Sequence, residues 1–247
     1  MDREKIGLSI VIPCFNEAEN IVFLLKKLNQ IIPNDLYNIE LIIVDGCSTD
    51  NTAVILNREF EDLNKSIFSL VLMKSRLGYG NDIMEGLKRA RYDNLCWTHA
   101  DLQTDPQDVI KGLEILNASK AKNKIIKGKR KSRPILDVFF TSGMQFIVFL
   151  ILKVNLNDIN AQPKIFSRDF YDNFLKKGAP KDFSLDLFAL YQAKKNDFEI
   201  LSFQVEFKKR VHGLAKGGGG SLKNRWDLVR RTFKYIYQLK KGLPNSI

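Results

Sequence analysis

Residues 94–106 read NLCWTHADLQTDP, and the abrupt change within them decides the fold. Asn94 to Ala100 is a largely apolar run of strand length, and Asp101, Gln103 and Asp105 follow it directly. Such a run, apolar without alternation, belongs to a strand covered on both faces. The polar residues then sit where the strand leaves the sheet. In extended backbone Asp101 and Gln103 lie on one side, two residues apart. A carboxylate and an amide oxygen are hard ligands suited to Mg²⁺ or Mn²⁺, ions usually completed by water and substrate phosphates. His99 has two readings, a hydrogen-bonded histidine at a strand end or a further ligand.

The same pattern recurs on both sides of this stretch. LSIVIP (8–13), IELIIVD (39–45), IFSLVLM (67–73) and KIIKG (124–128) read as further buried strands beside 94–100. Between them the apolar residues take helical spacing: Ile21, Leu24, Leu25, Leu28 and Ile32; Ile83, Leu87 and Ala90; Val109, Ile110, Leu113 and Leu116. Alternating buried strands and amphipathic helices predict an α/β fold, a mostly parallel sheet with helices on both faces. In such sheets ligands bind outside the carboxyl ends of the strands. PCFNE, DGCSTD and HADLQTD are therefore expected along one edge.

Each cluster also has a structural reading. Asn16 and Glu17 could serve only to open a helix, and Ser48 or Asp50 to cap the next one. Capping does not account for Asp45, which could accept from a base or from ribose hydroxyls. RLGYGND (76–82) places two glycines at a helix start, allowing close backbone approach to a ligand. It lacks the Lys-Ser/Thr of a P-loop.

Composition narrows the class. The 247 residues, 45% apolar and 27% charged, describe an ordinary globular protein. Three cysteines, each near the end of an apolar run, fit a reducing cytoplasmic setting better than a disulfide framework. The opening residues do not read as a signal peptide. The net charge of +11 is concentrated: residues 208–241 hold eleven Lys/Arg against Asp227, about +10, and the remainder is close to neutral. A basic C-terminal segment points to an anionic partner, whether phospholipid, nucleic acid or a phosphorylated substrate.

Taken in order, SIVIPCFNEAENI, IELIIVDGCSTDNT, RLGYGNDIMEGLKRA and HADLQTDP resemble glycosyltransferase family 2, of GT-A fold. Within it the likeness is greatest to dolichol- and polyprenyl-phosphate sugar synthases. GKRKSR (128–133), NDINAQPKIFSR (157–168) and RVHGLAK (210–216) extend it over roughly residues 7–216. In the last of these Ala215 replaces a serine of the family's pattern. The resemblance implies that Pro13, Phe15, Glu17, Ile43 and Asp45 hold the nucleoside. It implies that Asp101 and Gln103 bind Mg²⁺ or Mn²⁺, and that Arg130, Arg210 and Lys216 meet donor or acceptor phosphates. Where the family commonly has Asp-x-Asp, this chain has His99-Ala100-Asp101: the metal-binding acid is kept, and the nucleotide-contacting one becomes an imidazole able to hydrogen-bond to ribose or phosphate.

The implied reaction is a metal-dependent, inverting transfer of a sugar from a nucleotide-sugar donor, in which the leaving diphosphate must be neutralised. A lipid phosphate acceptor is already ionised and needs no general base. A saccharide hydroxyl needs one, and Asp182 or Asp186 in KDFSLDLFAL (181–190) is placed to supply it or only to favour a helix dipole. The expectation favours the polyprenyl phosphate, with Asp101 and Asp186 as catalytic candidates. Residues 138–152, VFFTSGMQFIVFLIL, are uncharged but too short to span a bilayer, and read as a core helix or an interfacial one. LKNRWDLVRRTFKYIYQL (222–239) puts Leu222, Trp226, Val229, Phe233 and Ile236 on one stripe beside Lys223, Arg230, Arg231 and Lys234. It suits an anionic membrane surface or a core-packed helix with a solvated basic face. These features lead to a catalytic domain over 1–216 and a Gly-rich loop with a basic helix over 217–247. They describe a peripheral protein on the cytoplasmic face of a membrane. A non-catalytic relative and a basic nucleic-acid-binding protein, the latter disfavoured by the strand-end acids, are the competing classes.

Overall fold

In a computed structural model, residues 5–31, 37–132, 135–208, 210 and 222–242 are described. The boundary expected near 216, the Gly-rich loop and Lys216 lie outside them. Seven strands form one sheet: β1 (Ile6–Cys14), β2 (Tyr37–Asp45), β3 (Phe68–Leu72), β4 (Asn94–Trp97), β5 (Lys124–Lys131), β6 (Lys164–Ser167) and β7 (Glu199–Glu206). Their order is β3-β2-β1-β4-β6-β5-β7. All neighbours are parallel except at β6, which runs against both β4 and β5. The helices are α1 (Ala18–Ile31), α2 (Thr52–Glu61), α3 (Tyr79–Leu87), α4 (Asp108–Ala118), α5 (Ile135–Leu152), α6 (Arg168–Phe170), α7 (Leu185–Lys195) and α8 (Leu222–Lys241), with α6 continuing as a π-helical turn over Tyr171–Leu175.

Strand side chains alternate between faces, and this divides the core in two. Ile10, Ile12, Leu41 and Ile43 pack with Leu24 and Leu28 of α1, Leu56 of α2 and Leu113 of α4. Val11, Ile42, Val44 and Trp97 face the other way, among Ile83 and Leu87 of α3 and Leu187 to Ala193 of α7. Continuous burial from Leu8 to Cys14 and from Ile39 to Asp45 follows directly.

β4 ends at Trp97, three residues before the end read from the sequence, because the chain turns out of the sheet after Thr98, whose amide still donates to the Val11 carbonyl at 3.1 Å. Two strands had no clear sequence signal. β6 has only four residues, and β7 is an edge strand whose outward positions are polar or charged.

α5 is neither wholly buried nor wholly exposed. Val148 is fully buried, and Met144, Ile147 and Ile151 lean on the core. On the opposite side Val138, Phe139, Phe146, Phe149 and Leu150 are exposed. α8 lies beside α5 and divides its apolar stripe. Tyr235 and Ile236 are buried, whereas Trp226, Phe233 and Tyr237 face outward.

One core position is polar without a carboxylate to match it. Lys127 of β5 is buried and its Nζ donates to the Gly128 carbonyl at 2.7 Å. Burial, then the neighbouring Lys164, push its pKa down to about 7, with Asp158 opposing. The folded state therefore binds fewer protons than the unfolded chain between about pH 7 and the ordinary lysine pKa of 10.5, so this group's contribution to stability rises with pH across that window. Lys127→Met is expected to raise the melting temperature most at or below pH 7, the gain shrinking to nothing near pH 10.5. Thermal scans of both proteins from pH 6 to 10 check this, and a pH-independent difference contradicts it.

Candidate active site

The β1 and β2 ends are joined by hydrogen bonds between their loops. The Asn16 amide donates to Ser48 Oγ at 2.8 Å, the Glu17 amide to Thr52 Oγ1 at 2.8 Å, and the Thr49 amide to Asn16 Oδ1 at 2.7 Å. Asp50 accepts from the Ala18 amide at 3.3 Å and from the Thr52 amide at 2.9 Å. Asp45, expected to face a ligand, accepts from both the amide (3.0 Å) and the hydroxyl (2.5 Å) of Ser48. It holds its own turn, so the local role that helix capping could not supply is an Asx-type turn.

Beside this turn is a feature without a strong sequence signal. The Arg76 guanidinium lies 4.1 Å from the Phe15 ring centroid and donates to Asp82 Oδ2 at 2.7 Å. Asp82 is buried, its Oδ1 has no hydrogen-bond partner, and burial raises its pKa to about 6 against the pull of Arg76. A Cβ on Gly46 would run into this pair. The Phe15 ring and the Arg76 guanidinium can take the stacking and a polar edge of a base, while the buried Asp82 holds that guanidinium in place. Ile43 cannot take part: it is fully buried in the α1 side of the core, inside the sheet and not at its end. Pro13 and Ala100 are buried as well.

At the end of β4, Asp101 Oδ1 accepts from the Gln103 amide at 3.1 Å and Oδ2 from Arg210 Nη2 at 3.0 Å. The same Arg210 nitrogen is 3.4 Å from Glu17 Oε1. Two carboxylates converging on one cation make a centre of negative potential. Asp101 supplies hard oxygen, so the residues present fit a divalent ion whose remaining ligands come from phosphate and water. Glu17, expected near the nucleoside, belongs to this centre. The Gln103 side chain is tied to the Lys208 carbonyl at 3.1 Å. No cluster of three or more His, Cys, Asp or Glu ligands occurs among the described residues.

Below Asp101 lies a buried polar chain. Asp186 Oδ1 accepts from Lys164 Nζ (2.5 Å), Gln162 Nε2 (3.0 Å) and Trp97 Nε1 (3.2 Å). Gln162 Nε2 also reaches Tyr79 Oη at 3.3 Å, and Tyr79 Oη lies 3.0 Å from His99 Nε2. Desolvation lowers the His99 pKa, with Asp101 and Asp186 opposing. Asp186 was expected as a general base, yet it is 1% exposed and matched by Lys164. It is a counterion under the site. Asp182, the other acid considered, accepts from the Ser184 amide at 2.9 Å.

Two further expectations change. Arg130 is engaged by Asp158, through its backbone amide (2.7 Å), Nε (2.9 Å) and Nη2 (2.5 Å). A clamp of this kind fixes the β5 end instead of leaving the guanidinium for a phosphate. The glycines of RLGYGND do permit close approach, but to protein: a Cβ on Gly80 would collide with the carbonyls of Pro180 and Asp182.

The model for glycosyl transferase family 2 matches residues 9–174. A dolichyl-phosphate beta-glucosyltransferase of Dictyostelium discoideum is 23% identical over 253 aligned residues, covering 96% of this chain and 77% of the relative. An undecaprenyl-phosphate 4-deoxy-4-formamido-L-arabinose transferase of Serratia proteamaculans is 22% identical, covering 85% of this chain and 64% of its own length. The enzyme of the same name from Pseudomonas fluorescens is 31% identical over 41% of this chain and 30% of its own. The chain thus spans most of the first relative and less than two thirds of the other two. Glucosyl-3-phosphoglycerate synthase of Mycobacterium tuberculosis, solved with Mn²⁺, uridine diphosphate and glucosyl-3-phosphoglycerate, superposes with a TM-score of 0.74 at 16% identity, covering 98% of this chain and 82% of that one. At that identity the likeness establishes the mostly parallel, GT-A-like fold.

Proposed function

The chain belongs to glycosyl transferase family 2, and from that premise we propose that it transfers a sugar, with inversion, from a nucleotide-sugar to a polyprenyl phosphate at a membrane surface. The observation that carries the choice of acceptor is the burial of Asp186 against Lys164. A hydroxyl acceptor needs a base within reach, and the acid at the start of α7 is closed off. A phosphate monoester is already ionised. Its oxygen forms the new bond to the anomeric carbon while the bond to the donor diphosphate breaks and the electron pair leaves with it. The dolichyl- and undecaprenyl-phosphate relatives support the same acceptor class.

Phe15 and Arg76 receive the base, with Asp82 holding the guanidinium, and Glu17, Asp101 and His99 face the diphosphate. Mg²⁺ or Mn²⁺, held by Asp101 with Gln103 beside it, would neutralise charge developing on the leaving diphosphate. Arg210, and Lys216 beyond the described residues, contribute further positive charge to the phosphates.

The outward sides of α5 and α8 support a membrane location. Phe139, Phe146 and Phe149 of α5, with Trp226, Phe233 and Tyr237 of α8, are exposed beside Arg230, Arg231, Lys234, Lys240 and Lys241. Aromatic anchors flanked by cations fit an anionic bilayer surface. No helix among the described residues is long and apolar enough to cross a membrane. The exposed aromatics and cations support a peripheral location on the cytoplasmic face of a membrane.

A panel of labelled nucleotide-sugars, offered with a short polyprenyl phosphate on anionic vesicles or with soluble glycans, tests both parts. Label is expected in the organic phase, and Phe146→Ser with Phe149→Ser is expected to weaken vesicle co-sedimentation by roughly 10-fold or more. Label found only on soluble glycan overturns the acceptor assignment. Salt-sensitive binding to DNA without binding to any donor overturns the enzyme's proposed chemistry.

A further inference from the structure

The carboxylates at the β4 end have a cation of their own, and the backbone delivers it. The Lys208 amide donates to the Gln103 carbonyl at 2.8 Å, and Gln103 Nε2 donates back to the Lys208 carbonyl at 3.1 Å. Residue 208 is thus pinned two positions from Asp101, and Arg210, two positions further on, is brought against that acid. Asp101 Oδ2 accepts from Arg210 Nη2 at 3.0 Å and Oδ1 from the Gln103 amide at 3.1 Å, so both oxygens are engaged. Glu17 is engaged in the same way. Its Oε1 faces the same Arg210 nitrogen at 3.4 Å, and its Oε2 accepts from Asn20 Nδ2 at 2.7 Å.

Water reaches little of this group: the Arg210 side chain is 16% exposed, Asp101 9% and Glu17 7%. Charges so placed are weakly screened, and attraction and repulsion are both strong. A divalent ion taking Asp101 Oδ2 as a ligand would lie within a few ångströms of the guanidinium on the same oxygen. Seated there, Arg210 opposes it. A diphosphate relieves the conflict, because it brings anionic oxygens for both cations. A guanidinium moves readily between carboxylate and phosphate partners, since the geometry of the bond is the same.

We infer, building on the nucleotide-sugar reading above, that Arg210 competes with the divalent ion for Asp101, so that the ion is admitted together with the donor's diphosphate while the guanidinium exchanges its carboxylate partners for phosphate oxygens. The site therefore selects the metal–diphosphate complex over a metal ion alone. The exchange also runs backwards: as the product diphosphate leaves with the ion, Arg210 returns to Asp101 and Glu17. Binding of ion and diphosphate is coupled through this one side chain, and by linkage each strengthens the other by the same factor.

The test compares the full-length protein with Arg210→Gln and Arg210→Lys. Free Mn²⁺ is counted by electron paramagnetic resonance, and binding of uridine, guanosine, cytidine and thymidine diphosphates is measured by calorimetry. Arg210→Gln is expected to bind Mn²⁺ alone roughly 10-fold more tightly, the scale of ordinary coupling between ligands. In chelating buffer the same variant is expected to bind the diphosphates roughly 10-fold more weakly, since Glu17 and Asp101 then repel them without a guanidinium in reach. Arg210→Lys is expected to stay within about threefold of the unmodified protein in both measurements, because Nη2 alone makes both carboxylate contacts and a point charge can take its place. An arginine that only braces the chain would lower both affinities in Arg210→Gln, and one that only meets phosphate would leave the affinity for Mn²⁺ alone unchanged. Either result overturns the inference, as does Arg210→Lys behaving like Arg210→Gln. If no diphosphate binds any of the three proteins, the nucleotide-sugar reading fails, while the Mn²⁺ comparison still decides whether Arg210 competes with the ion.

Discussion

Asp101→Ala is expected to lower kcat/KM by about 10³-fold or more, the scale of losing one pre-positioned charge-stabilising group from a reaction centre. Asp101 is the one site acid at the β4 end that faces both the Arg210 guanidinium and the space beside His99. Its removal leaves Glu17 opposite Arg210 and deletes a side chain already at the sheet's edge, so folding is expected to survive. The measurements are steady-state rates against Mn²⁺ concentration together with a thermal scan. Near-normal activity of Asp101→Ala in chelating buffer contradicts the assignment. An unchanged Mn²⁺ dependence with a lowered rate would mean that Asp101 acts on the substrate and not on the ion.

The second large effect is on stability. Lys164→Met leaves the Asp186 carboxylate buried with only Gln162 and Trp97 as donors. Breaking one side of a buried pair costs about 3–5 kcal/mol, or roughly 6–20 °C in melting temperature for a domain of this size. Adding Asp186→Leu should return most of it, because the remaining buried charge is then removed. Urea denaturation of the two single variants and the double closes the cycle. A loss below about 1 kcal/mol for Lys164→Met, or additive losses in the double, would mean the pair is not coupled as its 2.5 Å contact implies.

The parts of the fold legible in the sequence were those where burial is two-sided and the run is long. β1 and β2 show seven consecutive buried residues each, and the helices between them repeat their apolar residues at every turn. β6 has only Lys-Ile-Phe-Ser after a polar stretch, and its lysine points into the core to meet Asp186. A buried lysine in a strand reads as a surface residue until its partner, 22 positions away, is known. The same blindness misplaced Asp186. Its position at a helix start is local information, whereas its exclusion from solvent is a tertiary fact.

At the site, the sequence located the edge but not the direction of every side chain. Asp45, Asp101, His99 and Glu17 do collect at the strand ends. Ile43 shares the strand with Asp45 but is two residues too deep, under α1 and α2. The glycines of 76–82 signalled close approach correctly and the partner incorrectly, since loops 78–80 and 180–182 fill each other's space. Arg76, Tyr79 and Asp82 were within that quoted stretch, but no local rule distinguishes an aromatic in a relay from one in a core.

The reversed strand β6 has a consequence for how the chain reaches this structure. It pairs with β4 over four residues and with β5 over two, and among the described residues no other strand joins β3-β2-β1-β4 to β5-β7. The first group is contiguous in the chain and its strands pair in parallel through short helical crossovers. β5, though next in sequence after β4, has no place beside it until residues 164–167 are laid between them. The sheet therefore has a seam that is expected to close late, after a chain excursion of more than thirty residues whose loop entropy must be overcome first. A ribosome-bound chain ending before β6 would hold a four-stranded half-sheet with β4 as an open edge.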